Sequence, residues 1–133
     1  MTHEMVNSAR YHVPVKGFTQ AVKVSKPGTF VFVSGLTARL ADGTIVAEGN
    51  IHGQTRQIFE NLRAILEEAG ATLQDVVRTV QYFRNMSDHA GMLEVKREYF
   101  GDDQPASTSV EVAMLFDKRQ MIEIEATAIV GSR

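Results

Sequence analysis

Two polar stretches near the C-terminal end of the sequence carry side chains that could do chemistry. Three carboxylates lie in segments whose alternation of apolar and polar residues is typical of β-strands: Glu111, Glu123 and Glu125. The first segment also contains a run of three hydroxyl side chains, Ser107, Thr108 and Ser109. In a site, a carboxylate can position a water molecule and hydroxyls can bind polar substrate groups. Because Glu is depleted in strands, these carboxylates indicate a solvated face, an interface or such a site.

Other residue types that carry chemistry give weaker signals. The four histidines, His3, His12, His52 and His89, lack the spacing of metal ligands, so no metal site is predicted. The absence of cysteine excludes a disulfide scaffold, a thiolate nucleophile and Cys-ligated zinc. Ser107 has no Gly-x-Ser-x-Gly surroundings and no neighbouring histidine, which favours a pocket wall over a nucleophile.

Two arginines are candidate anchors for a substrate carboxylate. Arg39 and Arg84 each follow a predicted strand and could reach a cleft there. The alternative is that each is solvated or pairs with a neighbouring acid, as surface arginines more often do.

The composition describes an ordinary globular protein. The 133 residues are 44% hydrophobic and 23% charged, which predicts a single domain over residues 1–133. A net charge of -2 with scattered basic residues argues against a nucleic-acid partner. No apolar run approaches the roughly 20 residues of a membrane span, and the N-terminus does not resemble a signal peptide. We therefore expect a cytoplasmic protein that has no membrane partner.

The first half of the chain predicts strands followed by a helix. Residues 1–16 form an irregular or extended arm, and residues 18–24, 29–35 and 44–47 are predicted strands. A helical apolar stripe then begins after Asn50, a plausible N-cap, and ends at Gly70, a good residue to follow a helix.

The second half predicts a strand, a helix and a hairpin. Residues 75–84 are the strand, and Ser87 or Asp88 caps a helix that Gly101 closes. The stripe of this helix comprises Met92, Val95, Tyr99 and Phe100. Residues 105–112 and 121–130 alternate and flank a polar break, which predicts a hairpin.

These elements predict an α+β fold with the order β-β-β-α-β-α-β-β. We expect one mixed sheet with two helices packed on one face. The second face would then lack cover from its own chain although it carries alternating apolar residues. Other subunits are expected to bury it.

Several segments together resemble the RidA/YjgF family, in family order from about residue 18 to 130. The strongest are Val33-Ser34-Gly35, residues 66–77, Pro105-Ala106, residues 110–113 and residues 122–126. The resemblance implies a chorismate-mutase-like fold, a homotrimer and small-molecule sites in the clefts between subunits. It also implies hydrolysis of reactive enamines and imines to 2-ketoacids and ammonia, without cofactor or metal.

The resemblance also implies a substrate site, part of which this chain retains. Glu125 matches the glutamate proposed to orient water, and the retained small or hydroxyl residues are Ser34, Gly35, Thr108 and Ser109. The departures are Ser107 for the carboxylate-binding arginine, Phe18 for a tyrosine, Leu36 for a glutamine, and Leu93 and Lys96 for an asparagine and a tyrosine. Serine offers neither a fixed charge nor a two-pronged donor.

Three functions follow from this partial match. The first is a Rid-type hydrolase of enamines, imines or related small metabolites with altered or weak deaminase activity. The alternative is a non-catalytic trimer that binds a small metabolite. An endoribonuclease or translation inhibitor comes last, because the charge is slightly negative and no histidine pair or aromatic-basic strip is present.

Overall fold

The computed structural model describes residues 2–12, 19–26 and 28–131. Its strands are β1 (Thr2–Val6), β2 (Ala21–Ser25), β3 (Phe30–Leu36), β4 (Val76–Phe83), β5 (Ala106–Glu111) and β6 (Ile122–Ile129). Its α-helices are α1 (Ile51–Glu68) and α2 (His89–Phe100), and single 3-10 turns at Leu73–Asp75 and Met86–Asp88 precede β4 and α2. The predicted α+β class is confirmed.

Four strands form one mixed sheet in the order β3-β6-β4-β5. β6 is antiparallel to both β3 and β4, whereas β5 runs parallel to β4. The predicted hairpin of residues 105–112 and 121–130 is therefore wrong. Because α2 lies between β4 and β5 in the chain, it carries the chain back to the start of β4, and β5 enters the sheet in parallel. β6 pairs with the other side of β4, so among the described strands β5 has no partner on its second edge.

The single sheet of the prediction is also wrong, because β1 and β2 pair with each other in a separate two-stranded sheet. β1 lies in the predicted N-terminal arm, and its partner β2 begins three residues later than predicted; residues 13–18 lie outside the described part of the chain. Residues 44–47 form no strand; Ile45 makes one isolated bridge to Arg39. The turn at Asp42 and Gly43 is too close to that bridge for a longer ladder.

The ends of α1 agree with the sequence signals. The Asn50 side chain accepts a hydrogen bond from the Gly53 amide at 2.9 Å, which caps the first turn. Gly70 has φ +75 directly after the last turn, a conformation that a side chain would disfavour. α2 ends at Gly101, as predicted. At its start, Asp88 occupies the N-cap position without a side-chain capping bond.

Both helices pack on one face of the four-stranded sheet, called the covered face below. The largest fully buried apolar side chains belong to α1, α2, β4 and β6: Ile58, Phe59, Leu62, Leu66, Phe83, Met92, Ile122 and Ile124. The opposite face is called the open face, and aromatic side chains of the edge strand β3 project from it; Phe32 is 76% exposed. β2 approaches this face across a groove of about 490 Å³ beside Arg78 and Thr127.

Candidate functional site

A polar cluster lies on the covered face between β4 and β5, with Gln81 at its centre. The Gln81 side chain is fully buried, and its amide nitrogen donates to Ser107 Oγ at 2.7 Å and to Ser109 Oγ at 2.8 Å. The parallel register explains this contact, because Gln81 is level with Ser109 and Thr79 is level with Ser107. The amide thus holds two hydroxyls of β5 in place.

Lys96 enters this cluster from α2. Its Nζ donates to Thr79 Oγ1 at 3.1 Å, to Ser107 Oγ at 3.0 Å and to Gln81 Oε1 at 3.5 Å. Lys96 is only 2% exposed, because it lies one helical turn after Met92 on the buried side of α2. Within the described part of the chain, none of its hydrogen-bond partners is a carboxylate. Burial therefore lowers the pKa of the Lys96 ammonium to about 8.

His89, at the start of α2, is the titratable neighbour of this cluster. Burial lowers the pKa of its imidazole, and the positive charge of Lys96 lowers it further. The ring packs against Phe83 with 5.7 Å between ring centroids. Two basic groups therefore share this side of α2, and the charge of Lys96 disfavours the charged form of His89.

The carboxylates of β6 lie on the open face. Tyr82 of β4 donates a hydrogen bond from its hydroxyl to Glu125. This bond raises the pKa of the Tyr82 phenol, because losing the proton would place two negative charges together. Glu123 lies against Gly35 of β3, where an added Cβ would meet its carboxyl carbon at 2.7 Å. A side chain at position 35 would displace Glu123.

The site residues named from the sequence divide between the two faces. Ser107 and Ser109 point to the covered face, where Gln81 binds both. Thr108 alternates with them, and Glu125 is level with Val80 rather than Gln81, so both belong to the open face. Ser34 is exposed in the irregular stretch of β3 next to Gly35. Phe18 lies outside the described residues.

The two candidate arginines lie at strand ends, apart from the polar cluster. The Arg39 guanidinium donates to the carbonyl of Gly43 at 3.0 Å, within its own turn, and lines a groove of about 460 Å³ beside Gly35. Arg84 directly follows β4, is half-buried, and its backbone amide donates to the carbonyl of Met121 at 3.0 Å.

Gln81, Thr79 and Tyr82 did not emerge as site residues from the sequence, and Lys96 appeared there only as a departure from the family's tyrosine. Only Lys96 carried a readable signal, since a charged residue four positions after Met92 interrupts an otherwise buried helical stripe. Gln81 and Tyr82 look like ordinary alternating strand residues. Their roles depend on which strand becomes their neighbour.

The described residues offer donors, a cation and carboxylates for binding a small polar molecule. No group of three or more potential metal-binding side chains occurs within residues 2–12, 19–26 and 28–131. Over the same ranges, neither helix has the length and apolarity needed to cross a bilayer. The covered face supplies an amine and hydroxyls, and the open face supplies a carboxylate bonded to a phenol.

The sequence and the fold match one protein class. Residues 9–130 match the family model described as Endoribonuclease L-PSP. A RutC family protein of Pyrococcus abyssi is 41% identical over 128 residues, covering 96% of this chain and 98% of the relative. A protein of Dermatophagoides farinae named 2-iminobutanoate/2-iminopropanoate deaminase is 32% identical, covering 88% of each chain.

Solved structures give the same assignment. The Rid family protein YyfB of Yersinia pestis superposes with a TM-score of 0.85 at 31% identity, covering 98% of this chain and 100% of that one. Rv2704 of Mycobacterium tuberculosis, described as a member of the YjgF/YER057c/UK114 family, gives 0.67 at 33% identity over 97% and 100% of the two chains. The architecture is the α+β YjgF fold. The chain belongs to the RutC/Rid family, also called RidA/YjgF, as its sequence motifs predict.

Proposed function

We propose that this protein is a Rid-type hydrolase of reactive enamines, imines or related small metabolites, with altered or weak deaminase activity. The observation that carries the proposal is the 3.0 Å contact between Lys96 Nζ and Ser107 Oγ. The family resemblance implies a carboxylate-binding arginine at position 107. A basic nitrogen adjoining that serine supports the retention of a substrate site there.

The groups around Ser107 suit the polar end of a small substrate. Ser107 and Ser109 present hydroxyls at the free edge of β5, and Gln81 orients both of them. A single amine cannot form the two parallel hydrogen bonds that a guanidinium offers to a carboxylate. We therefore expect weaker binding of 2-imino acids than in a relative that has the arginine.

Water activation is assigned to Glu125, whose carboxylate is oriented by Tyr82. Within one chain the sheet separates Glu125 from Ser107, so the proposed site combines the β5 edge of one subunit with the open face of another. This requires the homotrimer that the family resemblance implies. The exposed Phe30, Phe32 and Val110 support burial of that face between subunits.

In the assembled cleft, Ser34, Gly35 and Thr108 are proposed to line the substrate together with Phe18. Arg39 and Arg84 remain candidate carboxylate anchors, and the groove beside Gly35 favours Arg39 of the two. Sedimentation velocity of the full chain tests the assembly. A trimer is expected, and a monomer at micromolar concentration would contradict a shared site.

The activity test measures pyruvate and ammonia released from freshly generated 2-iminopropanoate. We expect release faster than spontaneous hydrolysis and slower than that of the Dermatophagoides farinae deaminase. Glu125→Gln should lower the enzymatic rate, while Lys118→Gln in the exposed loop before β6 serves as the control. A wild-type rate equal to the spontaneous rate, for both 2-iminopropanoate and 2-iminobutanoate, would refute the proposal.

Ser107→Arg alone is not expected to restore full deaminase activity. The new guanidinium would adjoin the Lys96 ammonium, and two like charges in a buried cluster repel each other. Ser107→Arg combined with Lys96→Met removes this repulsion. The double variant should therefore melt at a higher temperature than Ser107→Arg alone.

The second candidate function is binding without turnover. It is favoured by the internal bonding of Lys96, whose ammonium already has three acceptors on its own chain. A thermal-shift screen of small carboxylates and aldehydes tests it. A ligand that raises the melting temperature and is recovered unchanged supports this alternative. Endoribonuclease activity, the description of the family model, remains the least favoured function because of the net charge of -2.

A further inference from the structure

Lys96 combines burial with neutral partners. Its three hydrogen-bond acceptors are two hydroxyls and one amide oxygen, all uncharged. A carboxylate partner would hold the proton on the amine and keep its lone pair out of reach. Because the described residues give Lys96 no such partner, Lys96 can lose its proton and form the neutral amine at moderate pH.

The cluster adjoins an exposed position on β5. β5 is an edge strand of its sheet, and Ser107 on that strand is exposed to solvent. The Ser107 hydroxyl, 3.0 Å from the Lys96 nitrogen, therefore connects the buried amine to this exposed position. A serine is small enough for a planar C=N or C=O group to approach past it, whereas a long side chain would block the path.

We infer that Lys96 is a covalent catalyst whose side-chain nitrogen replaces the imine nitrogen of a small 2-imino acid. This inference depends on the proposed hydrolase function and deepens it. The neutral amine adds to the carbon of the protonated imine and forms a C–N bond, which gives a protonated geminal diamine. The bond to the original nitrogen then breaks, ammonia leaves, and the substrate carbon remains joined to Lys96 as a protonated imine.

Water completes the reaction. It adds to the carbon of the Lys96 imine, and the C–N bond to Lys96 breaks with transfer of a proton to the amine. The Lys96 ammonium then passes this proton to ammonia, so the sum is one protonated imine and one water converted to one 2-oxo acid and one ammonium ion, with the neutral Lys96 amine regenerated. Ser107 and Thr79 each lie within 3.1 Å of the nitrogen and can pass protons between the two nitrogens of the diamine.

The surroundings of Lys96 set the pH at which its amine reacts. Burial lowers the pKa of Lys96 to about 8. The groups that face it are Thr79 and Gln81 of β4 and Ser107 of β5, which do not titrate near this pH. His89 on its own helix titrates lower, since burial and Lys96 both lower the pKa of the imidazole. Lys96 is thus the basic group of the cluster that changes charge near pH 8.

The test uses pyruvate, the product, together with cyanoborohydride, which reduces an imine to a stable secondary amine. We expect the full-length protein to gain one reduced pyruvyl group per chain, and peptide mapping to locate it at Lys96. The other lysines, including the exposed Lys118, are internal controls for nonspecific reduction. Labelling only at exposed lysines would overturn the inference.

Lys96→Arg is the matched variant, because it keeps a positive charge and removes the nucleophile. Turnover of 2-iminopropanoate should fall roughly 100-fold or more in Lys96→Arg and in Lys96→Met. An arginine variant with unchanged or increased turnover would show that Lys96 only attracts the substrate carboxylate. Circular dichroism and thermal melts of both variants check folding, and the trapping experiment needs no variant at all.

The outcomes separate the inference from the proposed function. Turnover by the wild type without an adduct at Lys96 overturns the covalent role and leaves the hydrolase standing. An adduct at Lys96 without turnover of any imine overturns the hydrolase and, with it, the catalytic role of the lysine. An adduct at Lys96 together with loss of turnover in Lys96→Arg supports both.

Discussion

The two faces of the four-stranded sheet carry opposite charges in opposite surroundings. On the open face, the Glu125 carboxylate accepts a hydrogen bond from the Tyr82 hydroxyl in a partly exposed position. On the covered face, Lys96 is buried among neutral oxygens. Adjacent residues of β4 contact these two groups: Gln81 contacts Lys96 on the covered face, and Tyr82 contacts Glu125 on the open face. The Glu125 carboxylate of β6 and the Lys96 amine of α2 thus lie on opposite sides of the sheet, where they cannot pair, and each keeps its own reactivity.

The contrast between the two faces is tested most strongly by how the free energy of unfolding depends on pH. The pKa of Lys96 is about 8 in the folded protein and 10.5 in an unfolded chain. Between these values the unfolded chain binds a proton that the folded protein does not, so stability rises with pH across this window. The rise attributable to Lys96 is about 3 kcal/mol at most. Urea unfolding from pH 7 to 10.5 should show it as a difference between wild type and Lys96→Met, and parallel pH profiles would contradict the burial of the amine.

Gln81→Leu should be the most damaging single change within the covered-face cluster. It removes the amide that holds Ser107 and Ser109 and one acceptor of the buried ammonium. We expect a loss of about 2 kcal/mol in the free energy of unfolding. Adding Lys96→Met should recover part of this loss, because no buried charge then remains. Purely additive effects of the two changes would contradict their coupling.

Gly35→Ala tests packing on the open face. The added methyl group would collide with the Glu123 side chain, which must then leave its position. We expect a loss of about 1 kcal/mol, measured by chemical unfolding. Because the obstacle is a side chain and not backbone, Glu123→Ala should cancel the effect in the double variant. A persistent loss in the double variant would assign the cost to the backbone of β3 instead.

Glu125→Gln should give the smallest change in stability, below about 1 kcal/mol, because this pair is partly exposed. Its clearer effect is on Tyr82. The hydrogen bond to the carboxylate raises the pKa of the Tyr82 phenol, so replacing the carboxylate with an amide should lower that pKa toward its ordinary value. Ultraviolet titration of tyrosine ionisation measures this, and Tyr82→Phe identifies which transition belongs to Tyr82.

Local signals in the sequence were sufficient for the helices and for most strands. The Asn50 cap, the helix endings at Gly70 and Gly101, and the alternation in residues 122–129 depend on nearby residues alone. These local signals did not predict which strands pair with each other. Residues 105–112 and 121–130 looked like a hairpin because they are close in sequence, yet β5 pairs with β4 and β6 inserts between β3 and β4. Alternation specifies a strand's faces but not its neighbour.

The same limit applied to the site. Sequence analysis grouped Ser107, Thr108, Ser109 and Glu125, but the register sends two of them to each face of the sheet. It considered Arg39 and Arg84 as substitute cations because they follow strands. The basic group that contacts Ser107 is instead Lys96, which is eleven residues earlier in the chain on α2.

The sequence by itself determined the family, the α+β class, the ends of both helices and the presence of carboxylates and hydroxyls on strands. Only the tertiary structure decided which of these side chains meet. Helical periodicity predicts that Lys96 is on the inner side of α2, but its partners depend on the parallel pairing of β4 with β5. Burial of the whole core, which involves residues distant in sequence, determines that pairing. It places an amine beside Ser107 and leaves Glu125 on the other side of the sheet.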